Sequence, residues 1–253
     1  MEKKNIIREW GRKDILYEKK GPMAFITFNR PDKINAMTED MFEGLEEAIR
    51  DYTDDDDLSC IIITGAGGNF SSGEDLKEKG GHGKLYDGWG TWPCYRAMLH
   101  CPKPIIAAVD GYCIGSAFNC AVLYSDIRIA SERAKFGLPQ AEFQSRTGVR
   151  ERSEISSESP RGKSYAMPYT HHLSLGNALY ITLCLQQFGS DVALRMGLIQ
   201  EVVPHEKLME RANELASMIL KKHPRELRLD KELQRAFVEA PGFAQRLTEL
   251  VRW

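Results

Sequence analysis

Two uninterrupted apolar runs constrain the fold of this chain most strongly. Residues 60–63 (Cys-Ile-Ile-Ile) and 105–109 (Ile-Ile-Ala-Ala-Val) contain no polar side chain. A half-exposed strand alternates apolar and polar residues, whereas a strand that is buried on both faces is continuously apolar, as in a parallel sheet. Each run leads into a glycine-containing turn, which allows the backbone to reverse sharply and to approach a ligand closely. The runs therefore predict two central strands of a largely parallel sheet.

Further strands and helices are predicted between and around these runs. Strand patterns occupy residues 15–17, 23–29, 127–130 and 199–203. Thr38 is a suitable helix N-cap before an apolar pattern of helical spacing, and similar patterns fill residues 176–187, 206–221 and 225–237. Strands that alternate with helices indicate an α/β fold with a largely parallel sheet.

Composition excludes several classes of function. The 253 residues include 34 basic and 36 acidic side chains, for a net charge of -2, and this balance disfavours nucleic acid as the main ligand. No apolar run approaches the roughly 18 residues of a membrane span. Residues 1–4 are followed by no apolar stretch, so we expect no secretory signal. Six cysteines without a C-x-x-C pair predict a reducing, cytoplasmic location with no disulfide framework, and no metal-binding motif is present.

The two glycine turns, at residues 65–73 and 110–117, suggest chemistry at the backbone. A helix that begins after such a turn leaves N–H groups without an acceptor, and two N–H groups that converge on one point bind an oxyanion. The first turn is not a dinucleotide-binding fingerprint, because Phe70 stands where the third glycine is needed. Neither a phosphate-binding P-loop nor the G-x-S-x-G motif of serine hydrolases is present.

Several motifs together resemble the enoyl-CoA hydratase/isomerase (crotonase) family. The similarity extends from about residue 15 to about residue 218. It comprises residues 28–36 (Phe-Asn-Arg-Pro-Asp-Lys-Ile-Asn-Ala), residues 70–78 (Phe-Ser-Ser-Gly-Glu-Asp-Leu-Lys-Glu), and the segments at 102–112, 125–130, 136–139 and 193–204. The resemblance implies a crotonase-like (ClpP/crotonase) spiral of ββα units with a helical C-terminal part. The implied organisation is a core domain at residues 1–200 and a short C-terminal helical region of the same domain at 201–253, assembled as a homotrimer or hexamer.

The resemblance also implies a ligand and the residues that hold it. The ligand would be an acyl-CoA thioester, with coenzyme A as part of the substrate and no permanently bound cofactor or metal. The thioester oxygen would accept hydrogen bonds from the backbone N–H groups of Glu74 and Ser116. The coenzyme A channel would be lined by Lys33, Ala36, Glu74, Asp75, Leu76 and Lys77. Lys77 is either a phosphate partner or an ordinary solvated lysine.

The sequence departs from the family's pattern at the positions of the acid–base residues. The two glutamates of the hydratases correspond to Asn119 and Gln140, and an amide carries no net proton at neutral pH. General acid–base catalysis contributes roughly 10²–10⁴ in rate, so ordinary hydration should be nearly abolished. Glu142, two residues beyond Gln140, is a candidate replacement because this offset points the same way on an extended segment. The family's Gly-Gly-Gly is Gly-Ser-Ala here, with Ser116 at its centre, and residues 144–166 form an unusually polar segment.

These observations leave several functions open. The first is a lyase or isomerase of acyl-CoA metabolism with an altered acid–base set, of the enoyl-CoA hydratase type. The second is a subunit that binds acyl-CoA or assists assembly without catalysis, which the amides at Asn119 and Gln140 favour. Decarboxylation or hydrolysis of a CoA ester needs fewer proton carriers and is a further alternative. RNA binding, which the resemblance implies for one branch of the family, is disfavoured by the balanced charge.

Overall fold

The computed structural model describes residues 11–75, 77, 93–138, 173–185 and 187–239. These residues form two sheets with helices packed around them. The strands are β1 (Ile15–Lys20), β2 (Met23–Phe28), β3 (Cys60–Gly65), β4 (Ile105–Val109), β5 (Tyr112–Ile114), β6 (Ile127–Ser131), β7 (Lys135–Gly137), β8 (Gln187–Gly189) and β9 (Glu201–Val203). The helices are α1 (Glu39–Asp54), α2 (Pro93–His100), α3 (Ser116–Leu123), α4 (Leu175–Cys184), α5 (Ser190–Arg195), α6 (Leu208–Ile219) and α7 (Pro224–Glu239).

The larger sheet has the strand order β1-β2-β3-β4-β6-β9. Strand β1 is antiparallel to β2, and every other neighbouring pair in this sheet is parallel. Ile61 and Ile63 of β3 face one apolar cluster, and Cys60 and Ile62 face another that includes Leu208 of α6. Both faces of the central strands are therefore covered, which is why their sequences are continuously apolar. The predicted parallel α/β sheet is confirmed.

Helix α1 forms where the sequence predicts it. The hydroxyl of Thr38 accepts a hydrogen bond from the backbone N–H of Met41 at 3.3 Å, which caps the first turn. The apolar positions of the helix recur at helical spacing, so Met41, Leu45 and Tyr52 are all buried on the same side. The hydroxyl of Tyr52 donates to the carbonyl of Pro104 at 2.8 Å and ties α1 to the segment before β4.

The smaller sheet, with the order β5-β7-β8, corrects one sequence prediction. The helix expected at residues 176–187 ends at Cys184, and Gln187 begins strand β8, which is antiparallel to β7. Leu185 is already extended, with φ of -107° and ψ of 123°. The rings of Phe136 and Phe188 stack across this pair with centroids 5.9 Å apart. Cross-strand pairing of this kind outweighs the local helical pattern. The short elements β5, β7 and α2 were also not predicted.

The C-terminal helices pack on the larger sheet and its edge. Leu208 of α6 joins the apolar cluster beneath the sheet. On α7, Lys231 Nζ donates to Asp126 Oδ2 at 2.6 Å and to the carbonyl of Lys103 at 2.7 Å. Arg235 donates to the other oxygen of Asp126 at 3.0 Å. The start of β4 and the start of β6 are thereby held against the same helix.

Candidate functional site

The two glycine turns lie side by side. The backbone N–H of Ser71 donates to the carbonyl of Tyr112 at 2.8 Å, and the N–H of Ile114 donates back to the carbonyl of Ser71 at 3.0 Å. The N–H of Phe70 donates to the carbonyl of Asp110 at 2.6 Å. The segment after β3 therefore pairs with β5, and this pairing brings the first turn to the helix that follows the second.

Gly73 packs closely against the second turn. Its φ is +92°, a conformation that disfavours any L side chain. A Cβ atom at this position would lie 2.7 Å from the carbonyl oxygen of Ile114 and 3.5 Å from the backbone nitrogen of Ser116. Glycine therefore permits a contact that another residue would prevent.

The structure brings the two predicted oxyanion-hole residues together. Ser116 is the first residue of α3, so its N–H has no acceptor within the helix. The N–H of Asp75 donates to the carbonyl of Met37 at 2.9 Å, and Gly73 accepts from the N–H of Met37 at 2.8 Å. These bonds fix the backbone on both sides of Glu74. The hydroxyl of Ser116 donates to Oε1 of Glu74 in a short hydrogen bond.

A buried tyrosine supports the start of α3. The hydroxyl of Tyr95 donates to the carbonyl of Ser116 at 2.7 Å, and its ring stacks on Tyr124 with centroids 4.9 Å apart. Burial raises the pKa of Tyr95 well above its usual value, and nearby negative charge, including that of Glu74, adds to the effect. Tyr95 thus remains a neutral hydrogen-bond donor. The sequence did not single it out, since it lies outside the recognised motifs.

Arg30 organises the expected coenzyme A channel. Its guanidinium donates to Oδ2 of Asp75 at 2.9 Å and to the carbonyl of Ala36 at 2.6 Å. The hydrogen bond from Arg30 lowers the pKa of Asp75. Asp75 in turn accepts from the backbone N–H of Lys77 at 3.0 Å. Arg30, which was not among the residues predicted to line the channel, therefore links Ala36 to Asp75. Lys77 is connected to them through Asp75.

Lys33 and Leu76 are the other residues predicted to line the channel. Lys33 ends a short 3-10 turn, is exposed, and accepts from the N–H of Ala36 at 3.0 Å through its carbonyl. Asn35, with φ of +52°, is buried and donates to the carbonyls of Ala66 and Asn69 at 2.9 and 2.7 Å. Asn35 thereby anchors the loop at residues 33–36 to the first glycine turn. Leu76 lies outside the described residues.

Of the predicted acid–base positions, the structure describes Asn119. It lies on α3 one turn beyond Ser116, and it is 5% exposed. Its backbone N–H donates to the carbonyl of Gly115 at 3.1 Å. Gln140, Glu142 and the polar segment at 144–166 lie outside the described residues.

Asp110 anchors the second glycine turn. Its buried carboxylate accepts from the hydroxyl of Ser131 at 2.6 Å and from two guanidinium nitrogens of Arg133 at 2.6 and 2.8 Å. Burial by itself would raise the pKa of Asp110, but the bonds from Arg133 and Ser131 outweigh it and hold the pKa below its usual value. His205 Nδ1 lies 2.7 Å from Oδ2 without the alignment of a hydrogen bond.

The described residues contain neither a cluster of three or more side chains suited to a metal ion nor a helix long and apolar enough to cross a membrane. A surface cavity of about 230 Å³ lies between α1 and α2, and its lining includes Arg50, Asp54, Arg96 and His100. None of the predicted site residues lines that cavity, so we assign it no part in the site.

Comparison with known proteins identifies the family. The family model for enoyl-CoA hydratase/isomerase matches residues 18–151. The chain belongs to the enoyl-CoA hydratase/isomerase family. It is 30% identical over 225 residues to the short-chain-enoyl-CoA hydratase of Clostridium acetobutylicum, and 33% identical over 225 residues to the carnitinyl-CoA dehydratase of Salmonella typhi. Each match covers 87% of this chain and 80% of the relative.

A solved structure supports the same assignment. The crystal structure of an enoyl-CoA hydratase/carnithine racemase from Magnetospirillum magneticum is similar with a TM-score of 0.77 and 25% identity, over 95% of this chain and 87% of that one. The predicted crotonase-like α/β fold with a helical C-terminal part is confirmed. The prediction of an enzyme of the enoyl-CoA hydratase type is confirmed at the level of the family.

Proposed function

We propose that this chain binds an acyl-CoA thioester and stabilises its enolate between the backbone N–H groups of Glu74 and Ser116. One observation carries the proposal: the segment at Gly73 packs against the start of α3, within reach of the amide nitrogen of Ser116. Family membership supports the substrate class, since the relatives are named as an enoyl-CoA hydratase and a carnitinyl-CoA dehydratase.

The arrangement suits chemistry in which negative charge develops on a carbonyl oxygen. The thioester oxygen becomes an enolate oxygen when a proton leaves the α-carbon or when a nucleophile adds to a conjugated double bond. Backbone N–H groups that are already fixed in place stabilise this charge without reorganisation, and one such donor is worth roughly 10²–10³ in rate. Because these donors belong to the backbone, they survive the replacement of glycine by Ser116.

The coenzyme A part would follow the segment organised by Arg30. Lys33, Ala36, Asp75, Leu76 and Lys77 belong to this proposed channel, and the two lysines are available to pair with phosphates. The Arg30–Asp75 ion pair would hold the loop in place, with both side chains 17% exposed.

The identity of the reaction depends on the missing glutamates. We infer that hydration is slow, because Asn119 is an amide and so is Gln140, and neither exchanges a net proton. A buried amide at Asn119 is also consistent with a subunit that binds acyl-CoA without catalysis. A non-catalytic acyl-CoA-binding subunit is therefore the second candidate function. Glu142 remains the sequence-based candidate for a replacement carboxylate.

Removal of one proposed donor tests the oxyanion site. Proline is well tolerated at the first position of a helix and lacks an N–H group, so Ser116→Pro deletes the donor. Ser116→Ala keeps the N–H and is the matched control. We expect Ser116→Pro to turn over acyl-CoA roughly 10²–10³-fold more slowly than Ser116→Ala. Equal rates in the two variants, with both folded by circular dichroism, would refute the assignment.

A substrate assay separates the two candidate functions. Wild-type protein is titrated with crotonyl-CoA by calorimetry, and hydration is followed by the loss of the conjugated double bond. Binding with slow turnover fits the altered enzyme, and binding with no turnover of any thioester fits the subunit. Hydration at ordinary rates would show that Asn119 and Gln140 are wrongly assigned or that Glu142 is the acid–base residue.

The homotrimer or hexamer and the cytoplasmic location remain predictions. Among the described residues, α4 exposes Leu175, Leu179 and Leu183 along one face, where a subunit contact would bury them. Light scattering after size-exclusion chromatography measures the subunit number.

A further inference from the structure

We propose that the side-chain carboxylate of Glu74 is the proton carrier of this site: it removes a proton from the α-carbon of the bound thioester and returns it. The inference rests on the proposed function, because it assumes that the thioester oxygen lies between the two amides. It differs from the family-based expectation, in which Glu74 contributes only through its backbone.

The position of the carboxylate is the first argument. The hydroxyl of Ser116 donates to Oε1 of Glu74, so the carboxylate is held beside both proposed donors. The α-carbon is bonded to the carbonyl carbon whose oxygen the amides would hold. With the thioester bound in this way, a single residue would present its N–H to the oxygen and its carboxylate to the carbon next to the carbonyl. Proton transfer needs the base within hydrogen-bonding reach of the proton that it removes.

Charge is the second argument. A carboxylate that stayed ionised beside the enolate would oppose its formation, because two like charges at short range disfavour each other. A carboxylate that takes up the proton becomes neutral at the moment the enolate becomes negative. The net charge of the site then stays constant. Decarboxylation would instead form its enolate beside an ionised Glu74, so the arrangement favours proton transfer over decarboxylation.

The step balances without any further reactant. The C–H bond at the α-carbon breaks, and the proton binds a carboxylate oxygen of Glu74. The electron pair of that bond forms the double bond of the enolate, and the carbonyl π pair moves to the oxygen. Return of the proton to the α-carbon regenerates the substrate. In a 3-enoyl thioester, return to the γ-carbon yields the 2-enoyl isomer, so isomerisation is the activity that one carboxylate supports.

Ser116 has a positioning role in this scheme. Its hydroxyl donates to Oε1 of Glu74 and so restricts the carboxylate to one orientation beside the start of α3. Tyr95 on α2 is a titratable group close enough to interact electrostatically with Glu74, and its pKa is raised by burial and then by neighbouring charge. On the loop of Glu74 itself, Asp75 is paired with Arg30.

Deuterium exchange measures the step directly. Wild-type protein is incubated with butyryl-CoA in D₂O, and mass spectrometry follows deuterium entering the acyl chain. Glu74→Gln keeps the backbone N–H and the shape of the side chain but cannot accept a proton. We expect its exchange rate to fall roughly 10²–10⁴-fold while the Kd for butyryl-CoA, from calorimetry, stays within about threefold. Glu206→Gln, an identical change at an exposed glutamate, serves as the matched control.

Ser116→Ala distinguishes positioning from general structural support. Loss of the hydroxyl removes the bond that orients the carboxylate, so the exchange rate at saturating butyryl-CoA should fall while the Kd is unchanged. Ser116→Thr, which keeps a hydroxyl, should recover most of that rate. The maximal rate should fall less than in Glu74→Gln. A rate in Ser116→Thr as low as that in Ser116→Ala would overturn the role assigned to Ser116.

The outcomes separate this inference from the function on which it rests. Exchange by Glu74→Gln within threefold of wild type would overturn the role of the carboxylate and leave the oxyanion site standing. Binding of butyryl-CoA by the wild-type protein without any deuterium exchange would likewise overturn the role of the carboxylate but not the oxyanion site. Failure of wild type to bind any acyl-CoA would overturn both proposals. Loss of exchange in Glu74→Gln with binding retained supports both.

Discussion

The carboxylate of Asp110 should contribute measurably to stability, because it ties the second glycine turn to the end of β6 and to Arg133 just beyond it. Ser131 is fully buried, and its hydroxyl donates to Asp110 at 2.6 Å. A hydrogen bond to a charged group is worth about 1.5–3 kcal/mol. The Arg133 side chain is 45% exposed, so its ion pair with Asp110 is discounted to about 0–1 kcal/mol. Asp110→Asn keeps one acceptor oxygen, and we therefore expect it to cost about 2–3 kcal/mol.

The assay is urea denaturation at several pH values. Because the folded-state pKa of Asp110 is lowered, its charge stabilises the fold fully above the unfolded-state pKa of about 3.9. That contribution is lost as the pH falls through the lower folded-state pKa. The difference between wild type and Asp110→Asn should thus be equal at pH 7 and pH 5 and should begin to shrink below about pH 4.

Two results would refute this reasoning. Asp110→Asn within 0.5 kcal/mol of wild type at pH 7, on the order of an ordinary surface substitution, would show that the buried bonds contribute little. A difference that does not shrink as the pH falls below about 4 would show that the charge of Asp110 is not what stabilises the fold. Arg133→Gln is the matched control, and we expect it to cost less than about 1 kcal/mol because that side chain is largely solvated.

Two further substitutions test the packing of the site and of the last helix. Gly73→Ala should destabilise the fold by about 2 kcal/mol or more and abolish acyl-CoA turnover. The reason is that the added Cβ would lie 2.7 Å from the carbonyl oxygen of Ile114 at a positive φ. An active Gly73→Ala variant with an unchanged midpoint of urea denaturation would contradict this. Lys231→Met should leave the half-buried Asp126 with one partner fewer and cost about 1–3 kcal/mol. Hydrogen exchange across α7 should then accelerate, and unchanged protection would refute the anchoring role of Lys231.

Much of the larger sheet was predictable because its signals are local. The apolar runs around Ile62 and Ile106 have no polar face, so they can be buried on both sides only in the central strands of a covered sheet. They form β3 and β4. Thr38 predicted the start of α1 because a capping hydroxyl needs only the next few residues. The smaller sheet was missed because its strands are three residues each and are stabilised by partners distant in sequence, such as Phe136 and Phe188.

Residue identity and spacing along the chain were enough to predict the family, the class of the central sheet and the amide at Asn119. The tertiary structure was needed to show that the hydroxyl of Ser116 contacts the carboxylate of Glu74, 42 residues away. It also decided that Arg30 joins Asp75 to Ala36. The physical reason is that these contacts depend on how two turns from separate strands pack, and backbone pairing at Ser71 and Ile114 sets that packing. A sequence motif shows which chemical groups are present, whereas the packing of the turns determines which of these groups are in contact.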